Sequence, residues 1–265
     1  MSGDASELSL VGRAPGYAVM GEVLRRQETV PPRSGLARFF GLSPLHSDSV
    51  SWYWGALGEM AVGRELGKLG PEWMVLHAVP VGTGDSDIDH VLIGPPGVFT
   101  INTKHHQRGR IWLGSRMLMV NGQKTDHLRN SRYEAKRASK LLSQGLGFPV
   151  DARAILALVG TSQITVKQRP ADVVVLTDRE LVRWLKRQKP RLSAVELDSL
   201  LDVADLRGTW HRSADTDTHT VEEFDLLNAE VTQAYRRRRM WIGLALIAGI
   251  ALAMSMVGPL LDAIT

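Results

Sequence analysis

Residues 85 to 106 read DSDIDHVLIGPPGVFTINTKHH, and their polar members are types that hold a hard cation and a phosphate. Asp87 and Asp89 precede a Pro-Pro-Gly turn, and the return segment ends in Asn102-x-Lys104. Carboxylate and amide oxygens bind Mg²⁺ or Mn²⁺, and an ammonium group offsets charge growing on a phosphate oxygen. With Pro96 and Gly97 as the central residues of a type II turn, Asp89 faces Lys104 and Val91 faces Asn102. Side chains alternate along a strand, so Asp87, Asp89, Asn102, Lys104 and His106 are expected on one face. Opposed and diagonal neighbours lie about 5 to 8 Å apart, so Asp89, Asn102 and Lys104 can surround one ion or phosphate. A slip of one residue would send the aspartates and the lysine to opposite faces. The competing reading is an exposed Asp–Lys pair, worth under ~1 kcal/mol. Apolar Val98, Phe99 and Ile101 favour a sheet inside a domain instead.

The histidines add little. His105 and His106 are adjacent, so a strand points them to opposite faces, and no cysteine is available to complete a zinc site. His106 shares the face of the acids and is within reach of a phosphate there. His90 points away and is expected to be packed. Arg129, Arg132, Lys136 and Lys140 recur at helical spacing, a stripe able to track a nucleic-acid backbone. Such a stripe is also what a solvated helix face looks like.

The elements that must position these residues are legible in outline. WGALGEMAVGRELGKLG predicts a helix from about Trp54 to Leu69, stopped by Gly70-Pro71. WMVLHAVPV predicts a strand, and Ile88–Gly94 with Val98–His105 a hairpin. RIWLG and RMLMVNG predict a short strand pair, followed by a helix from about His127 to Gly145. AILALVG and DVVVLT are two more strands. Thr177-x-x-Glu180 and Ser193-x-x-Glu196 have the form of capping boxes, each opening a helix. Early strands followed by mixed strands and helices argue for an α/β or α+β sandwich on a central mixed sheet.

Composition bounds the rest. A chain of 265 residues, 44% hydrophobic and 23% charged, is globular rather than disordered. The absence of cysteine excludes disulfides, thiolate metal sites and a cysteine nucleophile. The net charge of +4 is no larger than the block Arg236–Arg239, so the remainder is near neutral and the charge alone does not indicate nucleic acid. No basic start followed by an apolar core marks a signal peptide at the N-terminus. From Met240 to Val257 no residue is charged, enough as a helix to span roughly 30 Å, the thickness of a bilayer core. Arginines before the run put the large domain in the cytoplasm, with Trp241 at the headgroups. Ala245, Gly249 and Ala253 repeat at four-residue spacing, a pattern that permits a homodimer through close helix approach. The expected organisation is a flexible lead-in over 1–50, a folded domain over 51–207, a polar loop and basic juxtamembrane helix over 208–239, and a transmembrane helix over 240–263.

Gly58-Glu59 together with DIDHVLIGPPGVFTINTK resembles the nuclease-related domain (NERD) family, within the wider PD-(D/E)XK nuclease-like group. The resemblance covers roughly residues 54 to 160. It implies a PD-(D/E)XK nuclease-like fold, a central mixed sheet flanked by helices, and Mg²⁺- or Mn²⁺-dependent phosphodiester hydrolysis of DNA or RNA. Matched position by position, Glu59 is the helix acid, Asp89 the first hairpin acid, Asn102 stands at the second acid position and Lys104 is the lysine. Asp87, Asp89 and Asn102 would then face the metal. Asn102 departs from the family pattern, because an amide brings an oxygen but no charge. Restoring a carboxylate there would be expected to raise metal affinity. A degenerate module that binds nucleic acid or a protein at the membrane is the alternative.

Overall fold

The computed structural model of the chain describes residues 10–81, 87–210 and 218–262, without the side chains of residue 218 and of residues beyond 254. Helices α1 (Tyr17–Gln27), α2 (Gly35–Phe40) and α3 (Ser47–Leu66) come first. Strands β1 (Met74–Pro80), β2 (Asp87–Gly94), β3 (Gly97–His105), β4 (Arg110–Leu113), β5 (Leu118–Val120) and β6 (Gln123–Thr125) follow. The chain continues through α4 (His127–Leu146), β7 (Ala152–Val159), β8 (Gln163–Val166) and β9 (Val173–Thr177). It ends in α5 (Asp178–Lys186), α6 (Ala194–Asp205), α7 (Arg207–Trp210) and α8 (Thr218–Asp262).

A five-stranded sheet in the order β1-β2-β3-β7-β9 carries the fold. β1, β2 and β3 pair antiparallel, whereas β3, β7 and β9 pair parallel, so the sheet is mixed as expected. The parallel strands GVFTINTKH and ARAILALV are buried along most of their length, as strands covered on both faces must be. Phe99, Ile101 and Ile155 pack with Val62 and Leu66 of α3 and Leu181 and Leu185 of α5 on one face. Val91, Ile93 and Val98 pack with Ala138 and Leu142 of α4 and Leu200 of α6 on the other. A smaller sheet, β6-β5-β4-β8, adjoins it; β6 and β8 are too short, at three and four residues, to stand out in sequence.

The hairpin register differs from the sequence expectation. Gly94 pairs with Gly97 and His90 with Ile101, so Pro95-Pro96 hold the turn. Gly97 opens β3 at φ 123°, a value that favours glycine. Two prolines in succession leave Gly97 to supply the positive φ outside the turn centre rather than within it. The register is displaced by two residues, and because strand faces repeat every two, the acids and the lysine keep their common face.

Residues 10–50, expected as a flexible lead-in, are built into the fold over their described length. Leu10 lies in the core, and Met20 and Val23 of α1 pack with Tyr53 and Ala56 of α3 and Phe224 of α8. α3 starts earlier than its apolar pattern indicates, because His46 caps it and Asp48 lies in its first turn. Both capping boxes form.

α8 passes without a break from the polar residues after 218 through Arg236–Arg239 into the uncharged run. Among the described residues no helix is long and apolar enough to cross a membrane. The side chains of the run are described only to Met254, a shorter stretch than the ~20 residues a span needs, and the rest of the expected 240–263 span lies outside them. Phe39 and Phe40 of α2 meet Trp241 at 4.8 and 5.6 Å between ring centroids, just beyond the arginines.

Candidate active site

Asp89 sits where the β2 ladder breaks. The pairing of β2 with β3 stops at His90–Ile101, and the pairing with β1 passes over Asp89 and Ala78, which has φ 46°. In place of the next ladder bond, the Thr103 backbone N–H donates to Asp89 Oδ2 at 2.6 Å. The carboxylate is thereby fixed by the strand it faces. Asp89, Asn102 and Thr103 are all buried. Asn102 and Lys104 lie on the same face of β3 as Val98, the face that α4 covers.

Glu59 comes from α3, and its position depends on how closely that helix lies on β3. Gly58 is the point of approach: a Cβ there would meet His105 Cβ at 3.0 Å and Thr103 Cγ2 at 3.5 Å. Trp54 stacks on the His105 ring at 5.2 Å and 10°. These contacts seat the helix, and Glu59 enters a buried setting with an Oε2 that has no hydrogen-bond partner.

The residue that sequence reasoning missed is Glu134, in the middle of α4. Asn102 Nδ2 donates to its Oε1 in a very short contact. Its carboxyl is pushed up to about 8 by burial and then by Asp89, with Lys104 and the Asn102 amide opposing. The signal was present. Leu128, Ser131, Ala135, Ala138 and Leu142 form the buried face of α4, and Glu134 stands on its border. A second unforeseen group is Arg13, which is buried and donates from Nη1 to the Ala78 carbonyl at 2.6 Å.

The charges of the site act on one another. Asp87 is pushed up to about 7 by burial and by Asp89, against the opposing charges of Arg13 and Lys104. Glu59 is raised well above the carboxylate range by burial, then by Asp89 and Asp87. Asp89 is also raised by burial, though Lys104 and the Thr103 N–H favour its charged form. Glu59, Asp87, Asp89, Asn102, Lys104 and Glu134 therefore form one electrostatic unit.

Among the described residues no three His, Asp or Glu side chains are gathered as a ready metal-binding group. The donor set nevertheless suits a hard cation. Glu59 Oε2, Asp87 Oδ2, Asn102 Oδ1 and Glu134 Oε2 are buried oxygens without a hydrogen-bond partner. Oxygen donors with excess negative charge are what Mg²⁺ and Mn²⁺ prefer.

His106 pairs with His127, Nε2 to Nε2 at 3.0 Å, beside Lys104. His90 is buried as expected and meets His77, Nδ1 to Nδ1 at 2.8 Å. Two of the four stripe cations are already paired: Arg129 with Asp126 at 2.9 Å, and Arg132 with Asp172 through two bonds. Lys136 and Lys140 are exposed. Arg132 and Lys136 also line a cleft of about 570 Å³ with Arg153 and Arg191.

No curated protein and no solved structure matches the chain. The family model of the nuclease-related domain matches residues 54–159, from the turn of α3 that precedes Glu59 to the end of β7. That interval contains Glu59, Asp87, Asp89, Asn102, Lys104 and Glu134 together with the strands and helices that hold them, and this part of the chain matches the nuclease-related domain family.

Proposed function

We propose that the domain hydrolyses phosphodiester bonds of DNA or RNA with Mg²⁺ or Mn²⁺. The observation that carries this reading is the buried set of unpartnered oxygens beside Lys104 within a nuclease-related domain. Asp87, Asp89 and Asn102 would hold the ion, with Glu59 completing the set from α3. When bound, the ion would lower the pKa of water and neutralise phosphate charge. Lys104 orients the attacking water or stabilises charge on the phosphate oxygen. Asp89, held by the Thr103 N–H, fixes the strand side of the site. Burial favours the protonated form of Glu59, so holding the ion would release that proton. Lys136, Lys140 and the Arg153–Arg191 cleft would hold the nucleic-acid backbone, with Arg129 and Arg132 contributing if they exchange their carboxylate partners.

The test is cleavage of single- and double-stranded DNA and RNA by the purified full chain in detergent, with millimolar Mg²⁺ or Mn²⁺. Asp89→Ala and Lys104→Ala are each expected to lower the rate about a hundredfold or more, as loss of groups acting on the transition state does. Cleavage unchanged in both variants would sink the assignment. The neutral Asn102 favours a second reading, a binding or scaffold module. It predicts nucleic-acid binding whose affinity is insensitive to divalent ions and to Lys104→Ala.

We also propose that α8 anchors the protein in a membrane as a single pass, with the N-terminal domain in the cytoplasm. The support is the uncharged run after Arg239 and the exposure of Ile242, Leu246, Ile247 and Ile250 along it. The aromatic group Phe39–Phe40–Trp241 beside the arginines has the composition of a headgroup-level belt. A homodimer through Ala245, Gly249 and Ala253 belongs to the same reading. Membrane crosslinking that is unchanged in Gly249→Leu would count against it.

A further inference from the structure

A strand carboxylate two residues before the lysine is missing from this site, yet a carboxylate touches the residue that replaces it. Asn102 Nδ2 donates to Glu134 Oε1, and Glu134 comes from α4, which packs across the face of β3 that bears Asn102 and Lys104. The contact uses one end of each side chain. Asn102 Oδ1 and Glu134 Oε2 remain buried with no hydrogen-bond partner, as do Glu59 Oε2 and Asp87 Oδ2. A buried polar atom left without a partner is costly, so leaving four around Asp89 calls for an explanation. A cation bound among them supplies one.

An amide is the residue type that this geometry requires at position 102. A carboxylate has acceptors only, so aspartate or glutamate here would set two acceptors against each other. Two buried carboxylates in contact also repel. Asparagine donates to Glu134 with one end and keeps an oxygen acceptor at the other. The departure from the family pattern at 102 and the acid at 134 therefore explain each other.

We propose that Glu134 supplies from α4 the metal-facing carboxylate that the strand lacks at position 102, and that Asn102 is the positioning residue that holds it there. This rests on the metal-dependent reading above, and it differs in a checkable way from treating Asn102 as a weakened ligand. If Asn102 were only a ligand that had lost its charge, a carboxylate at 102 would strengthen metal binding. With Glu134 charged once the ion is held, a second carboxylate in contact with it weakens binding, and binding returns only when 134 is neutralised as well.

The experiment measures Mn²⁺ affinity of the full chain in detergent by electron paramagnetic resonance, which reads the ion directly and needs no cleavage. Four proteins are compared: the natural sequence, Glu134→Gln, Asn102→Asp, and the double variant that carries both changes. Thermal midpoints without metal accompany each. Glu134→Gln is expected to weaken Mn²⁺ binding at least about tenfold, the scale of losing a supporting or direct ligand. Its midpoint should be equal to or above that of the natural chain, since a buried acid is replaced by a neutral amide whose oxygen can still accept from Asn102. Asn102→Asp alone is expected to bind no better than the natural chain. In the double variant the amide and the carboxylate have exchanged places, so the helix side can donate to the strand side. Its affinity should recover to within a few-fold of the natural chain. The proposal is overturned if Glu134→Gln binds Mn²⁺ like the natural chain. It is equally overturned if Asn102→Asp alone binds more tightly, or if the double variant is no better than Glu134→Gln. Should the natural chain bind no Mn²⁺ at all, the metal-dependent reading itself fails.

Discussion

Asp87 and Glu134 carry protons in the folded chain that they would not carry unfolded. Burial and neighbouring acids lift them to about 7 and about 8, from ordinary values of 3.8 and 4.5. The native state thus binds more protons than the unfolded chain, and stability falls as pH rises through this range. His77, His90, His105, His106 and His127 work in the opposite sense, because burial lowers all five, and their effect fades only about a unit above the ordinary 6.5. From about pH 7.5 to 8.5 the carboxyls therefore set the slope. In a chelating buffer the thermal midpoint is expected to fall across that interval, and added Mg²⁺ should flatten the decline. A midpoint that stays level or climbs without metal would count against the buried acid set. At this scale the sequence is readable where chemistry follows from alternation. Asp87, Asp89, Asn102 and Lys104 share a face even though the turn sits one residue earlier than expected, because the resulting register shift is even. Glu134 is not readable as a site residue, since only the packing of α4 on β3 brings a distant helix position to Asn102. Its neighbours Arg132, Lys136 and Lys140 draw attention to the helix for its opposite charge.

Two glycine contacts set how the elements pack, and the first of them places a site side chain. At Gly58 a larger residue pushes α3 away from Thr103 and His105, and Glu59 moves with the helix. Gly58→Val is expected to lower stability by about 1–3 kcal/mol, the usual cost of overpacking. It should also weaken Mn²⁺ binding, whereas Gly21→Ala, where a Cβ meets only Thr220 Cγ2 at 4.0 Å, serves as the control. Equal thermal midpoints for the two variants would show that the seating of α3 is looser than described. At Gly41, where φ is 71°, a Cβ would collide with the Ala234 carbonyl oxygen of α8. Most element identities are legible from periodicity and caps; the end of the hairpin is not. A Pro-Pro-Gly sequence allows two placements of the turn, and cross-strand packing between neighbours selects one. The burial of α1 is not legible, because its partners on α3 and α8 lie far away in sequence.

On the scale of the molecule, α8 joins the nuclease-related domain to the uncharged run. Phe224 is buried against α1 and α3, and Ala234 is buried too, so the first part of this helix belongs to the folded domain. Removing residues after Arg239 should therefore leave the domain folded. The full chain is expected to sediment with membranes and to resist high salt, while the shortened chain remains in solution. A full chain that stays in solution without detergent would end the anchor reading. Within the membrane reading, the continuity of α8 has a consequence for how substrate is met. The helix has no break between Phe224 and Trp241, and the rings of Phe39 and Phe40 clasp it beside the arginines. Such a domain moves across a surface, not through a volume. Its encounters with a nucleic acid then scale with how often the polymer touches that surface, so a long or surface-tethered strand is met repeatedly and a short free one seldom.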